Sequence, residues 1–370
     1  MRNAADAGLL GVLKRKEWDD LQEMFRREIF PRLASAVLSS RGARMQALIE
    51  ATTRLRELAG TPVGRPFAWR LLRLAAMQYP RFGTSGWRAR MGLDFTWPRA
   101  TAVAQAIIEH LIESGLGELP LTIGYDSRIN GDRVAALVAD IAVANGFTVH
   151  LAARETPSPA LIHYITERLG VAKNAGLINC TPSHNPVRDV ATGLYLGTEY
   201  HGIRYNTPYG AVAPTRATDT IGRRAMELLL EERAVPEHPR GNVILVDPLD
   251  DYVSRAIDDL SISVALPEQP VADALEQMRD FWGAKDAKVV IDEMHSASRG
   301  YLRRVCERLG INHEVVHDTK DPLLGHLLYA NPEPPHTAEL AATVCKLKEE
   351  HPRIIGVGFD GEVVRRLAAG

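Results

Sequence analysis

Cys180-Thr181-Pro182-Ser183-His184-Asn185-Pro186 is the segment of this 370-residue chain best suited to chemistry. It follows Ala175-Gly176-Leu177-Ile178-Asn179, an apolar run that reads as a buried strand, so Ser183 would stand on a tight loop at a strand's carboxyl end. A serine in that position suits a nucleophile or a phosphate carrier. Pro182 and Pro186 stiffen the backbone, while His184 and Asn185 add donors near an anion. Ser, Asn and Pro are also turn formers, so a plain turn is the alternative reading of the same residues.

Other segments carry chemistry of a compatible kind. In Arg81-Phe82-Gly83-Thr84-Ser85-Gly86-Trp87-Arg88 the glycines let backbone approach a ligand, and Arg88 offers a planar fork to phosphate. Gly124-Tyr125-Asp126-Ser127-Arg128 holds an Asp–Arg pair, which reads equally as a structural ion pair or as a direct phosphate contact. The acidic run Asp247-Pro248-Leu249-Asp250-Asp251 reads as a turn and the first turn of a helix, where carboxylates suit the dipole. His295 reads as structural, at a strand end. The twelve histidines include no HExxH and no clustered spacing, which argues against zinc. There is no GxGxxG or GxxxxGK[ST], so no nucleotide site is indicated.

These segments need a scaffold, and the pattern supplies one. Residues 1–80 read as helical, with Trp18, Leu21, Phe25 and Ile29 at helical spacing and Met45, Leu48, Ile49 and Leu55 after them. From there on, strands alternate with helices. Strands are expected at 121–125, 147–151 and 175–179, and a helix at 131–145. Another helix follows Pro98, with Val103, Ile107, Ile108 and Leu111 on its apolar face. After the charged, proline-containing stretch Glu231 to Pro239, a second series places strands at 288–292, 313–317 and 354–359 and helices at 299–309 and 338–350. The fold class expected is α/β: two mixed, mostly parallel three-layer α/β/α domains preceded by an all-helical segment. The expected boundaries are 1–80, 81–235 and 236–370.

The segments also fall in a familiar order. Thr181 to Pro186 resembles the T-A-S-H-N-P loop of the α-D-phosphohexomutases, which include phosphoglucomutase and phosphomannomutase, with Pro182 in place of alanine. Phe82 to Arg88 resembles that family's F-G-T-S-G-x-R, Gly124 to Arg128 its G-x-D-x-R, and Gly202-Ile203-Arg204-Tyr205-Asn206 its G-I-K-Y-N. Asp292-Glu293-Met294-His295-Ser296-Ala297 resembles D-P-M-H-G-A, and Asn331-Pro332-Glu333-Pro334 resembles P-N-P-E. The resemblance runs from about residue 81 to 366. It implies interconversion of hexose 1- and 6-phosphates, glucose or mannose phosphate, through a phosphorylated Ser183. It also implies catalytic roles for Ser183, His184, Arg88 and Arg204. Phosphate or substrate would be bound by Thr84, Ser85, Arg128, Asn185 and Arg365, and Mg²⁺ by Ser183, Asp360 and Glu362.

Several residues depart from the pattern. The family's metal loop D-G-D-x-D-R reads here Asp360-Gly361-Glu362-Val363-Val364-Arg365, with a longer second carboxylate and no third, which implies weakened or lost Mg²⁺ binding. Arg204 stands where the family has lysine; arginine stays protonated, so it binds phosphate but is a poor general base. The stretch from Val187 to Tyr200 is longer than in microbial members. The family's third and fourth domains, which read the sugar and grip the distal phosphate, have no counterpart before Gly370. Two classes of function follow. One is a mutase-type isomerase; the other is a catalytically impaired homologue acting as a binding or assembly module.

Composition narrows the setting. Hydrophobic residues make up 45% and charged residues 24%, ordinary for a globular chain. A net charge of −2 gives no electrostatic case for nucleic acid or anionic membrane as partner. Cys180, Cys306 and Cys345 are widely spaced and read as reduced thiols. The expected address is the cytoplasm, since no signal peptide or membrane helix is visible.

Overall fold

A computed structural model describes residues 80–359, apart from 81, 84–85, 191, 198, 232–241, 265–269 and 335. The expected N-terminal helices lie outside the described residues, as does the metal loop. By its contacts the chain separates into two units, and the fold described below, apart from residues 226–231, belongs to the one formed by residues 81–225 and 234–370.

Among the described residues its larger sheet has seven strands in the order β1-β2-β6-β5-β3-β4-β7. These are β1 (Phe82–Gly83), β2 (Gly86–Arg90), β3 (Leu121–Tyr125), β4 (Val149–Ala152), β5 (Leu177–Cys180), β6 (Tyr200–Asn206) and β7 (Val243–Val246). Strands β5, β3, β4 and β7 run parallel, while β6, β2 and β1 pair antiparallel at one side. Strand β5 is buried at all four residues, as a central strand covered on both faces must be. Helix α1 (Trp97–Glu113) starts with Pro98 in its first turn and buries Val103, Ile107, Ile108 and Leu111, the stripe that the spacing predicted. Each such side chain contributes roughly 1.5–3 kcal/mol on burial. Helix α2 (Gly131–Ala144) carries Asp132 in its first turn and ends where Asn145 donates a side-chain N–H to the Ile141 carbonyl. The chain then forms α3 (Ser158–His163), continued by a π-helical turn (Tyr164–Gly170), and later α4 (Thr215–Glu231).

The smaller sheet is parallel, in the order β10-β8-β9, from β8 (Ala287–Asp292), β9 (His313–Val316) and β10 (Arg353–Gly358). Around it lie α5 (Leu249–Val264), α6 (Val271–Gly283), α7 (Tyr301–Leu309) and α8 (Ala338–Leu347). Helix α7 buries Tyr301, Val305 and Leu309 at four-residue intervals against Leu249 and Val253 of α5. The acidic run resolves as expected: Asp250 and Asp251 occupy the first turn of α5, with Asp250 accepting from Arg304 and Arg308 and Asp251 from His163. Every predicted strand appears within two residues of its expected limits. The sequence pattern passed over β1, β2, β6 and β7, because the first three lie inside glycine-containing motifs and β7 directly follows the charged stretch read as an inter-domain joint. Residues 243–246 follow the expected inter-domain stretch, yet β7 hydrogen-bonds to β4 and completes the first sheet.

Candidate functional site

Ser183 lies three residues beyond β5, at the carboxyl edge of the parallel strands. Its φ is 59°, in the left-handed region that costs an L-residue roughly 1–2 kcal/mol. Surrounding bonds hold it there. The Ser183 amide donates to Thr181 Oγ1 at 2.9 Å, and Thr181 Oγ1 donates to Asp126 Oδ2 at 2.8 Å. Asp126 Oδ1 accepts the Arg128 amide at 3.1 Å, and Arg128 Nε sits 3.6 Å from Asp126 Oδ2. The Arg128 guanidinium then donates to the carbonyls of Ser183 and Asn185. Of the two readings open for the Asp126–Arg128 pair, the geometry gives the structural one a definite form: a buried brace beneath the loop.

The loop's upper side carries the reactive groups. Ser183 Oγ lies 3.4 Å from His184 Nδ1, and Arg88 Nη1 donates to Asn185 Oδ1 at 3.4 Å. Arg88 stands on β2 opposite Gly202 of β6. A side chain at Gly202 would put its Cβ 2.5 Å from the Thr181 carbonyl oxygen, so only glycine lets β6 pass this close to the loop. Arg204, on the same face two residues further, lines an open groove of about 580 Å³ with Ser158, His163 and Arg255. The structure thus gathers Ser183, His184, Asn185, Arg88 and Arg128, and places Arg204 in the wall of that groove. Thr84, Ser85, Asp360, Glu362 and Arg365 lie outside the described residues.

Sequence reasoning missed Thr181 as a link in the brace, and His201 beneath it. His201 is fully buried, meets the Phe95 ring at a tilt with centroids 4.9 Å apart, and accepts the Gly202 amide on Nδ1 at 2.9 Å. Burial, then the nearby Arg128 charge, pushes its pKa down to about 4. The unfolded chain therefore binds a proton that the native state refuses between pH 6.5 and about 4. Native stability from this group is complete above pH 6.5 and is lost as pH falls, by about 2–3 kcal/mol at pH 4.5. Urea unfolding at pH 7 and 4.5 should show this loss, and His201→Phe, which keeps a ring against Phe95, should flatten it. Equal pH dependence in the two chains would refute the assignment.

The second-sheet motif adjoins the first through its backbone. Ser127 Oγ donates to the His295 carbonyl at 2.8 Å, and His295 donates Nδ1–H to the Thr319 carbonyl at 2.8 Å, in keeping with a structural role. Glu293 accepts the Gly300 amide at 2.7 Å, and burial pushes its pKa up to about 7. All three cysteines are free; burial raises the thiols of Cys180 and Cys306, which suits inert core residues.

Two domain descriptions of one family match this chain: phosphoglucomutase/phosphomannomutase alpha/beta/alpha domain I over residues 80–229, and domain II over residues 272–369. The chain belongs to the phosphoglucomutase/phosphomannomutase family. Among its relatives, the phosphoglucosamine mutase of Synechococcus elongatus is 26% identical over 294 residues, covering 79% of this chain and 53% of that protein. Human phosphoglucomutase-1 is 26% identical over 307 residues, covering 80% and 51% respectively. The chain thus spans about half the length of the curated relatives it matches. The fold agrees with that of Paramecium parafusin, a phosphoglucomutase solved in its open form, with a TM-score of 0.61 at 20% identity over 80% of this chain and 54% of that one. Among the described residues no helix is long and apolar enough to cross a membrane.

Proposed function

We propose that this chain carries the phosphoryl-transfer half of a phosphosugar mutase site, with Ser183 as the phosphate carrier for a hexose phosphate. The observation behind this reading is the strained Ser183 backbone, held at φ 59° by a buried brace, with its Oγ directed to His184. In the forward step a sugar hydroxyl oxygen attacks phosphorus, the bond from phosphorus to Ser183 Oγ breaks, and the hydroxyl proton passes to a base. The return step reverses these changes on the sugar's other phosphate. His184 Nδ1, beside Oγ, would give a proton to the departing serine oxygen in the forward step and take it back in the return step, whereas Arg204, always cationic, suits a phosphate. Arg88, tied to Asn185, would meet the transferring group's charge. The donor set of a Ser183 phosphate oxygen, Asp360 and Glu362 is all oxygen, which suits Mg²⁺. Mg²⁺ bound by these groups would neutralise charge on the phosphoryl oxygens.

The competing reading, a binding or assembly module, draws on Val364 standing where the family's third metal-loop carboxylate falls. One experiment separates the two. After incubation with glucose 1,6-bisphosphate and Mg²⁺, intact-mass measurement should show one phosphate on the unaltered chain and none on Ser183→Ala. An unaltered chain that stays unphosphorylated rules out the carrier role.

A further inference from the structure

The carboxyl ends of β8 and β9, at the edge where parallel sheets bind ligands, carry a cluster that the spacing of the histidines did not disclose. His317 follows β9, His326 lies in the connection after it, and Glu339 occupies the first turn of α8. His317 Nε2 and His326 Nε2 approach the same oxygen, Glu339 Oε2, at 3.1 and 3.3 Å. The three ligand atoms all lie within 4.8 Å of one another. Bonds of about 2.0–2.1 Å in a tetrahedron separate neighbouring ligands by about 3.3–3.4 Å, close to the two shorter spacings here.

A second observation stands behind the first. Asp292, fully buried at the end of β8, accepts from His317 Nδ1 at 2.8 Å and from the Met294 amide at 2.9 Å, both on Oδ1. Its Oδ2 is buried with no hydrogen-bond partner among the described residues. A buried carboxylate in this state calls for positive charge, and the imidazole relays that demand to Nε2, which faces Glu339 and His326. Metal-binding histidines are oriented by a carboxylate on the other ring nitrogen in the same way. The ring is also fixed sterically, between His295 at 5.0 Å and His326 at 5.6 Å between centroids. Leu324 and Gly325 both take left-handed φ, turning the chain so that His326 meets the other two; a Cβ on Gly325 would lie 2.8 Å from His295 Nε2.

We propose that His317, His326 and Glu339 form a divalent transition-metal site, of the zinc class, with water completing the tetrahedron. Two imidazoles and one carboxylate favour zinc over magnesium, which demands oxygen ligands. The ion would clip the connection after β9 onto α8. That connection also receives the chain beyond Ser183: Arg188 donates to the Gly325 carbonyl, and the Val187 amide donates to the Leu328 carbonyl at 3.1 Å.

His326 and Glu339 are half or more exposed, so replacing them leaves the core intact. The full chain, stripped with chelator and titrated with Zn²⁺, should bind one ion and show a higher Tm, and Co²⁺ should give the visible bands of a tetrahedral site. His326→Ala and Glu339→Gln should each weaken Zn²⁺ more than about 100-fold and abolish both signatures, with the apo Tm unchanged. Zn²⁺ binding that survives both substitutions overturns the site. So does failure of the unaltered chain to bind Zn²⁺ at all.

Discussion

Arg128→Ala is expected to destabilise the chain by about 3–5 kcal/mol and to slow phosphorylation of Ser183 by about 100-fold or more. The first figure follows from what the side chain touches. Its guanidinium is almost wholly buried, neutralises Asp126, and donates to the carbonyls of Ser183 and Asn185. Deletion leaves a buried carboxylate without its cation and two carbonyl oxygens without their donors, each an uncompensated desolvation. The second figure follows from geometry, because those two carbonyls hold Ser183 in its left-handed conformation. Once they are released, the serine relaxes and Oγ leaves the position beside His184. Arg128→Lys should restore the charge but not the fork, recovering part of the stability and little of the rate. Because the Arg128 charge also helps hold His201 neutral, Arg128→Ala should raise the His201 pKa, which a pH titration by NMR would read directly. A stability loss below about 1 kcal/mol, with an unchanged phosphorylation rate, would show that the brace does not position the loop.

The contrast between Arg128 and Arg88 shows what the sequence could and could not convey. Both stand in short motifs with phosphate-compatible chemistry. Only the tertiary path shows that one points under the loop and the other across it. Spacing located the loop because the strand before it is a continuous apolar run and the proline-rich turn follows at once. Helices α1, α2 and α7 were equally legible, since each has a regular stripe and a terminal signal. The antiparallel side of the first sheet was hidden because β2 and β6 are glycine-containing and not simply alternating. Gly202 of β6 records close approach to the Ser183 loop, and Gly86 of β2 close approach to Ile203 and Arg204 of β6, rather than a turn. The histidine–glutamate cluster was out of reach for another reason. Its members sit 9 and 13 residues apart along the chain, on a strand end, a loop and a helix start, and only the fold makes them neighbours.

Arg299 shows the same principle over a longer range, and its removal is the second large effect to expect. Its guanidinium donates to the carbonyls of His295 and Ser296 and pairs with Glu155, 144 residues away in the first α/β half. Lys320 reaches the other Glu155 oxygen at 3.3 Å, and Arg154 donates to the Arg299 carbonyl at 2.9 Å. Arg299 and Glu155 are both buried, so neither can turn to water when the other is lost. Arg299→Ala should therefore cost about 3–5 kcal/mol, while Glu155→Ala should cost less, because Arg299 keeps its two carbonyls. The double variant should cost less than the sum of the two, with a coupling of about 1–3 kcal/mol in a double-mutant cycle from urea unfolding. Acid sensitivity supplies an independent reading. Burial favours the protonated Glu155, but its own backbone amide, Arg299 and Lys320 outweigh that and hold its pKa below the usual value. A lowered native pKa gives stability that is present above the unfolded value near 4.5 and lost as pH falls through the native one. Without Arg299 the opposing pull of burial gains, so this acid-side loss should shrink. An additive cycle together with an unchanged acid slope would mean that the two halves are joined elsewhere, through the Ser127–His295 and Val187–Leu328 bonds, and that the buried pair is incidental to their union.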